Sequence, residues 1–134
     1  MRYQRAEPPL KIDGPTAARR FFAQCFAEQD PLKESVWVAH LDDQARCIHL
    51  SHYPGDPCGA DFPLREIVRE AALYGSTAML IAHNHPSGDA SPSAADLRAT
   101  ARLAAVTSAL SCRLVDHLVF GGAHCASLRA LGYL

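Results

Sequence analysis

Thr77-Ala-Met-Leu-Ile-Ala-His-Asn-His-Pro-Ser-Gly-Asp-Ala-Ser-Pro-Ser-Ala-Ala-Asp96 decides how the chain folds. Thr77 to His83 is a continuous apolar run, the pattern of a strand at a sheet centre covered on both faces. Asn84 to Pro92 is rich in turn-forming residues. Ser93 opens a helix predicted to run to about Ala109. The order is strand, loop, helix. His83 and His85 stand two apart at the carboxyl end of the strand, so both imidazoles project to one face and Asn84 turns away. Pro86 fixes the backbone just beyond them.

The flanking segments repeat this alternation. Residues 1–14 are polar and carry prolines, the composition of an N-terminal arm, and the domain proper is expected over 15–134. Pro15 after Asp13-Gly14 suits the first turn of a helix. Ala17, Phe21 and Cys25, with Phe22 and Phe26, recur at helical spacing, so this helix is predicted over 15–29. Glu34 to Leu41 and Ala45 to Ser51, joined at Asp42-Asp43-Gln44, read as a β-hairpin. Residues 53–62 form a loop long enough for a binding role. Pro63 opens a second helix with Leu64, Ile67, Val68, Ala71 and Ala72 on its apolar face, and Gly75 is placed to end it. Cys112 to Phe120 is another strand, turned back by Gly121-Gly122 into Ala123 to Ser127. The expected fold class is α/β, one mixed sheet with helices packed on it.

Composition narrows the function classes. The chain has 134 residues, 49% hydrophobic and 20% charged, the balance of one globular domain. Its longest apolar run, Ala78 to Ala82, is far short of the roughly 20 residues that span a bilayer. Neither a membrane nor, at a net charge of −1, a nucleic acid is the expected partner. The N-terminus shows no apolar signal-peptide core. The five cysteines, Cys25, Cys47, Cys58, Cys112 and Cys125, are odd in number and contain no C-x-x-C pair. They read as small buried thiols in a reducing, cytoplasmic compartment.

Ser93 and Asp96 open the helix that follows the His83–His85 strand end. Taken singly, the histidines are ordinary loop residues, and Ser93 with Asp96 is an ordinary capping box with Asp in place of Glu. Taken together, His83, His85 and Asp96 offer three protein ligands to a metal, and the fourth tetrahedral position is left for water. That is how a catalytic zinc site differs from a closed structural one. Such a metal lowers the pKa of its water towards about 7.

The spacing His83-x-His85-x7-Ser93-x2-Asp96 resembles the JAMM signature of the JAB/MPN metallopeptidases. The string His83-Asn84-His85-Pro86-Ser87-Gly88-Asp89 is similar to the RadC branch in particular. The likeness extends to Arg65-Glu66-Ile67, to Asp116-His117 and to Ser127–Leu134, covering roughly residues 30–134. It implies a cytidine-deaminase-like JAB/MPN sandwich, a curved mixed β-sheet flanked by helices. It implies one Zn2+ per chain on His83, His85 and Asp96. It also implies an upstream glutamate on a strand facing the metal, which Glu34 matches. Glu28 competes, but from within the first helix. By this resemblance Glu34 is the general base and Ser93 donates to the oxyanion. The implied activity is zinc-dependent cleavage of a peptide or isopeptide bond, as in the deubiquitinases. Its partner is then a protein or peptide, ubiquitin-like conjugates included, and nothing in the sequence speaks against a homodimer. The alternative is a RadC-like accessory protein associated with DNA repair and without protease activity.

The chain departs from the branch in three places. About 30 residues precede Glu34, too few for the branch's helix-hairpin-helix region. Pro63-Leu64 replaces His-Pro, and Gly55-Asp56 replaces Gly-Thr. A zinc deaminase would need H-x-E and P-C-x-x-C, and neither is present. Asp116 and His117 face opposite ways on a strand, so one of them could support a metal-bound imidazole. His40, His49, His52 and His124 read as surface or sheet residues. Arg65, Glu66, Arg69 and Glu70 read as a solvated helix face, as do Arg98 and Arg102.

Overall fold

The computed structural model of the chain describes residues 2–3, 10–55 and 62–134. Most of the 53–62 loop, and Cys58 with it, lies outside the described residues. Among these residues six strands form one mixed sheet in the order β1-β3-β2-β4-β5-β6. They are β1 (Arg2–Tyr3), β2 (Ser35–Leu41), β3 (Cys47–Pro54), β4 (Ala78–Asn84), β5 (Arg113–Gly121) and β6 (His124–Ser127). Only β4 and β5 run parallel, across the crossover made by helix α3 (Ala94–Ala109). Helices α1 (Pro15–Ala27) and α2 (Leu64–Tyr74) complete the fold, which is the expected α/β class with helices on both faces.

The alternation of side chains along the central strands sorts the core into two layers. Trp37, Ala39, Leu80, Ala82 and Leu118 meet Ala18, Phe21 and Phe22 of α1. Val36, Val38, Met79 and Ile81 meet Ile67 and Ala71 of α2 and Leu103 of α3. The continuous apolar reading of β4 follows, since both of its faces are covered. The same parity puts His83 on the α2/α3 face and Asn84 on the α1 face.

Local chemistry sets the element ends. Pro15 supplies the fixed φ of the first turn of α1. The helix stops at Ala27, two residues before the predicted end. Pro31 disfavours a helical Asp30, and Gln29 instead turns its amide onto the Lys33 carbonyl. Gly75 closes α2 at φ 63°, the left-handed cap its position suggested. The stretch read as an arm contributes the two-residue edge strand β1, and Ile12 is buried in the α1-side core.

Some surface readings fail. Glu70 belongs to a closed network rather than a solvated face: it accepts hydrogen bonds from Ser51 (2.7 Å), His49 and Tyr53. Of the histidines read as surface or sheet residues, His40 and His49 are sheet residues, in β2 and β3, and both are buried. Ala72 is exposed, so the buried contact of α2 rests on Ile67 and Ala71. Of the cysteines described, Cys112 is buried and Cys25, Cys47 and Cys125 are half-buried thiols.

Candidate metal centre

β4 ends at Asn84, so His83 lies inside the sheet and His85 one step past it. His83 is 1% exposed. The backbone N–H of His85 donates to the Phe120 carbonyl at 2.7 Å, which carries the β4–β5 pairing around the strand end. Gly121, at the end of β5, lies hard against the loop that follows. A Cβ there would fall 2.6 Å from the Ala90 nitrogen and 2.7 Å from the Asp89 carbonyl carbon. Only glycine lets that loop pack so closely, and the loop in turn aims His85, whose Nδ1–H donates to the Asp89 carbonyl at 2.8 Å.

The third group arrives on α3. Ser93 is the N-cap, its Oγ accepting from the Asp96 N–H at 3.0 Å, and the Asp96 carboxylate accepts from the Ser93 N–H at 2.8 Å. This reciprocal capping box fixes the Asp96 side chain beside the strand end. Asp96 Oδ1 lies 3.3 Å from His83 Nε2. Asp96 Oδ2 lies 3.1 Å from His85 Nε2. The two Nε2 atoms are 3.1 Å apart. The sequence-predicted ligands therefore converge, and these three residues could hold a metal ion.

The hydrogen-bond network assigns the protons. Thr100 Oγ1–H donates to the Asp96 backbone carbonyl at 2.7 Å. Its oxygen therefore accepts from His117 Nδ1–H, at 2.6 Å. Burial, with His83 next to it, holds the His117 pKa well below the imidazole range, so that ring is neutral and its Nε2 bare. His117 Nε2 accepts from His83 Nδ1–H at 2.7 Å, which leaves His83 Nε2 bare as well. His85 Nδ1–H donates to the Asp89 carbonyl, so in the neutral ring Nε2 is the bare nitrogen. With both rings neutral, two nitrogen lone pairs and a carboxylate face one another. Lone pairs at this separation repel unless a cation sits among them. Each imidazole nitrogen stands 3.1–3.3 Å from one or the other Asp96 oxygen, and two nitrogens with a carboxylate are a donor set of the kind zinc takes.

Of the pair Asp116 and His117, His117 supports a ligand. Asp116 anchors the chain end, accepting from Ser127 Oγ at 2.5 Å and the Arg129 N–H at 3.0 Å. Thr100 gave no signal in the sequence; it stands four residues, one helical turn, after Asp96. Glu34 is half-buried just before β2. Val36 pairs with His83, the last pair of that ladder, and Glu34 lies two residues beyond it, its neighbours Lys33 and Ser35 bonded through their backbone to Asn84. Glu28 is exposed at the C-cap of α1. Among the described residues, His52 stacks on Trp37 and His124 is exposed, both away from the ligand cluster.

Residues 12–133 match the RadC-like JAB domain. The chain belongs to that family. JAB domains as a superfamily include metallohydrolases. A relative from Acidithiobacillus ferrooxidans, a UPF0758 protein, is 35% identical over 122 residues, 90% of this chain and 54% of the relative. A UPF0758 protein from Cellvibrio japonicus is 40% identical over 103 residues, 76% of this chain and 46% of that protein. The chain thus spans about half the length of the curated relatives it matches. No helix among the described residues is long and apolar enough to cross a membrane.

Proposed function

We propose that this RadC-like JAB domain is a zinc-dependent hydrolase that cleaves a peptide or isopeptide bond. The observation that supports it most is the convergence of His83 Nε2, His85 Nε2 and the Asp96 carboxylate, with the Nδ1–H of each ring bonded elsewhere. These residues would hold one zinc ion, whose Lewis acidity would polarise the scissile carbonyl and acidify water. Glu34 takes a proton as water adds to the carbonyl carbon, and returns it to the amine nitrogen as the C–N bond breaks. Ser93 uses only an oxygen lone pair in its cap, so its hydroxyl proton is free to donate to the oxyanion. His83 and Asp96 are almost fully buried, whereas the His85 side chain is 20% exposed, so the cluster opens to one side. On the α1 side of the sheet Phe26, Pro31, Pro86 and Phe120 line a groove that reaches His85, apolar footing for an extended chain.

The test separates base from ligand. Glu34→Gln keeps shape but takes no proton at neutral pH, so it retains zinc and loses turnover by roughly 10²–10⁴. Zinc is measured by elemental analysis and turnover on a panel of peptide and isopeptide conjugates. Zinc loss in Glu34→Gln would make Glu34 a ligand and overturn the mechanism, and full activity would place the base elsewhere.

A further inference from the structure

Asn84 lies between the two histidines and faces the other side of the sheet, where it plays no part in the ligand cluster. It is buried. Its Oδ1 accepts from the Ser35 N–H at 2.9 Å. Its Nδ2 donates to the Lys33 carbonyl, also at 2.9 Å. One side-chain amide therefore grips the backbone on both sides of Glu34. The Glu34 carbonyl is itself taken, accepting from the Gly55 N–H at 2.9 Å. Gln29 reinforces the clamp through its amide on the Lys33 carbonyl and by accepting from Ser35 Oγ at 2.8 Å.

The chain needs such a device here. Regular pairing of β2 with β4 runs from Leu41 with Ala78 to Val36 with His83 and stops. Glu34 lies beyond it, where no ladder bond to β4 fixes the backbone. Asn84 replaces the missing rungs with two hydrogen bonds from a side chain. Because it is the residue between two metal-ligating positions, it ties the backbone of Glu34 to the strand that carries His83 and His85.

We propose that Asn84 is a positioning residue that sets the Glu34 carboxylate at its working distance from the metal. The inference rests on the reading of Glu34 as the base. An aliphatic side chain at 84 leaves the three ligands intact and frees the 33–35 backbone. An aspartate keeps the acceptor for Ser35 and loses the donor for Lys33, so it cuts half of the clamp.

The experiment uses the full chain loaded with Co2+ alone, with pseudocontact shifts read at the Glu34 side-chain carbons and at α3 amides. Amide exchange at Ser35 is followed in parallel. In Asn84→Ala we expect the Glu34 shift to collapse towards an averaged value and Ser35 exchange to accelerate about ten-fold. The α3 shifts, which report the metal and its ligands, stay as in the parent. Asn84→Asp, which serves alone if the alanine variant does not fold, lowers the Glu34 shift and keeps Ser35 protected. A Glu34 shift equal to the parent's in the variants overturns the proposal. Loss of the α3 shifts along with it makes Asn84 a general strut, which also overturns it. A Glu34 shift near zero in the parent itself removes the base assignment, a failure told apart by arising before any substitution at 84.

Discussion

Two histidine–carboxylate clusters share the α2/α3 face of this sheet, and they are opposites. In one, the Glu70 carboxylate meets a donor for each of its needs: Tyr53, Ser51 and His49 all point hydrogens at it. Burial alone would raise the Glu70 pKa, but those three hydrogen bonds outweigh it and bring it down to about 2. The cluster is electrically closed. In the other, Asp96 meets the Nε2 atoms of two imidazoles whose Nδ1 hydrogens are committed elsewhere, to His117 and to the Asp89 carbonyl. That cluster is open, a group that could hold a metal ion. Proximity of histidine to carboxylate does not separate ligand set from structural network; the direction of each hydrogen bond does.

The sharpest way to break the comparison is to remove each carboxylate in turn. Asp96→Ala leaves two ligands, so bound zinc falls from about one per chain to none, and the capping box of α3 goes with it. Glu70→Ala leaves zinc at one per chain but strands the donors of buried Ser51 and His49 and of half-buried Tyr53. It should lower the unfolding free energy by roughly 3 kcal/mol, the scale of a broken buried network. Elemental analysis and urea unfolding on both variants decide it. Zinc loss in Glu70→Ala, or zinc retention in Asp96→Ala, would erase the distinction.

A finer cut goes through the relay that strips the proton from His83. Thr100→Val preserves shape and removes the hydroxyl that receives His117 Nδ1–H. His117 is then free to take the other tautomer, which presents a hydrogen to His83 and misorients it. Zinc affinity should fall roughly 10–100-fold, read by competition with a chromogenic chelator. An unchanged affinity would show that the tautomer of His83 is fixed by something else.

This relay also marks where the sequence stops being legible. The Ser93–Asp96 box and the His83–His85 parity are local patterns, between residues three and two positions apart, and both were readable. Gly75 and Pro15 announced their helix ends for the same reason. Thr100 and Asn84 act across sheet and helix on partners 17 to 51 positions away, and no periodicity encodes such a pairing; for His117 the sequence left open only whether it or Asp116 supports the imidazole. Glu70 misled because Arg65, Glu66 and Arg69 around it are exposed. Its own turn of the helix points at β3, a direction set by packing rather than by its neighbours in sequence.

The closed cluster should also respond to acid. His40, buried beside His49 and bonded to Ser76 Oγ at 2.9 Å, has its pKa lowered from 6.5 to about 4, by burial first and then by His49. Between those values the unfolded chain binds the proton and the folded chain does not. His40 therefore contributes its full share of stability above about pH 6.5, and that share drains away as pH falls towards 4. By pH 5 the loss is about 2 kcal/mol. The Glu70 share follows the same sign at lower pH, lost as pH drops from 4.5 towards 2. Urea midpoints at pH 7.5 and 5.0 should converge in His40→Leu relative to the parent. Equal acid losses in the two proteins would move the titrating group elsewhere.

The smallest expected effect concerns Ser93, which the open cluster uses twice. As N-cap it accepts the Asp96 N–H; as proposed oxyanion donor it offers its own hydrogen. Ser93→Ala removes both, costing about 1 kcal/mol of stability, whereas Ser93→Gly costs only a few tenths of that, roughly, because glycine is itself a tolerated N-cap. Neither touches a ligand atom, so both should keep zinc. If capping were the only role of Ser93, the glycine variant would turn over substrate nearly as well as the parent. If the hydroxyl also meets the oxyanion, both variants lose roughly 10²–10³ in turnover despite their different stabilities. Unfolding curves and turnover measured on the same two proteins therefore separate the roles, because capping ranks the variants apart and oxyanion binding ranks them together.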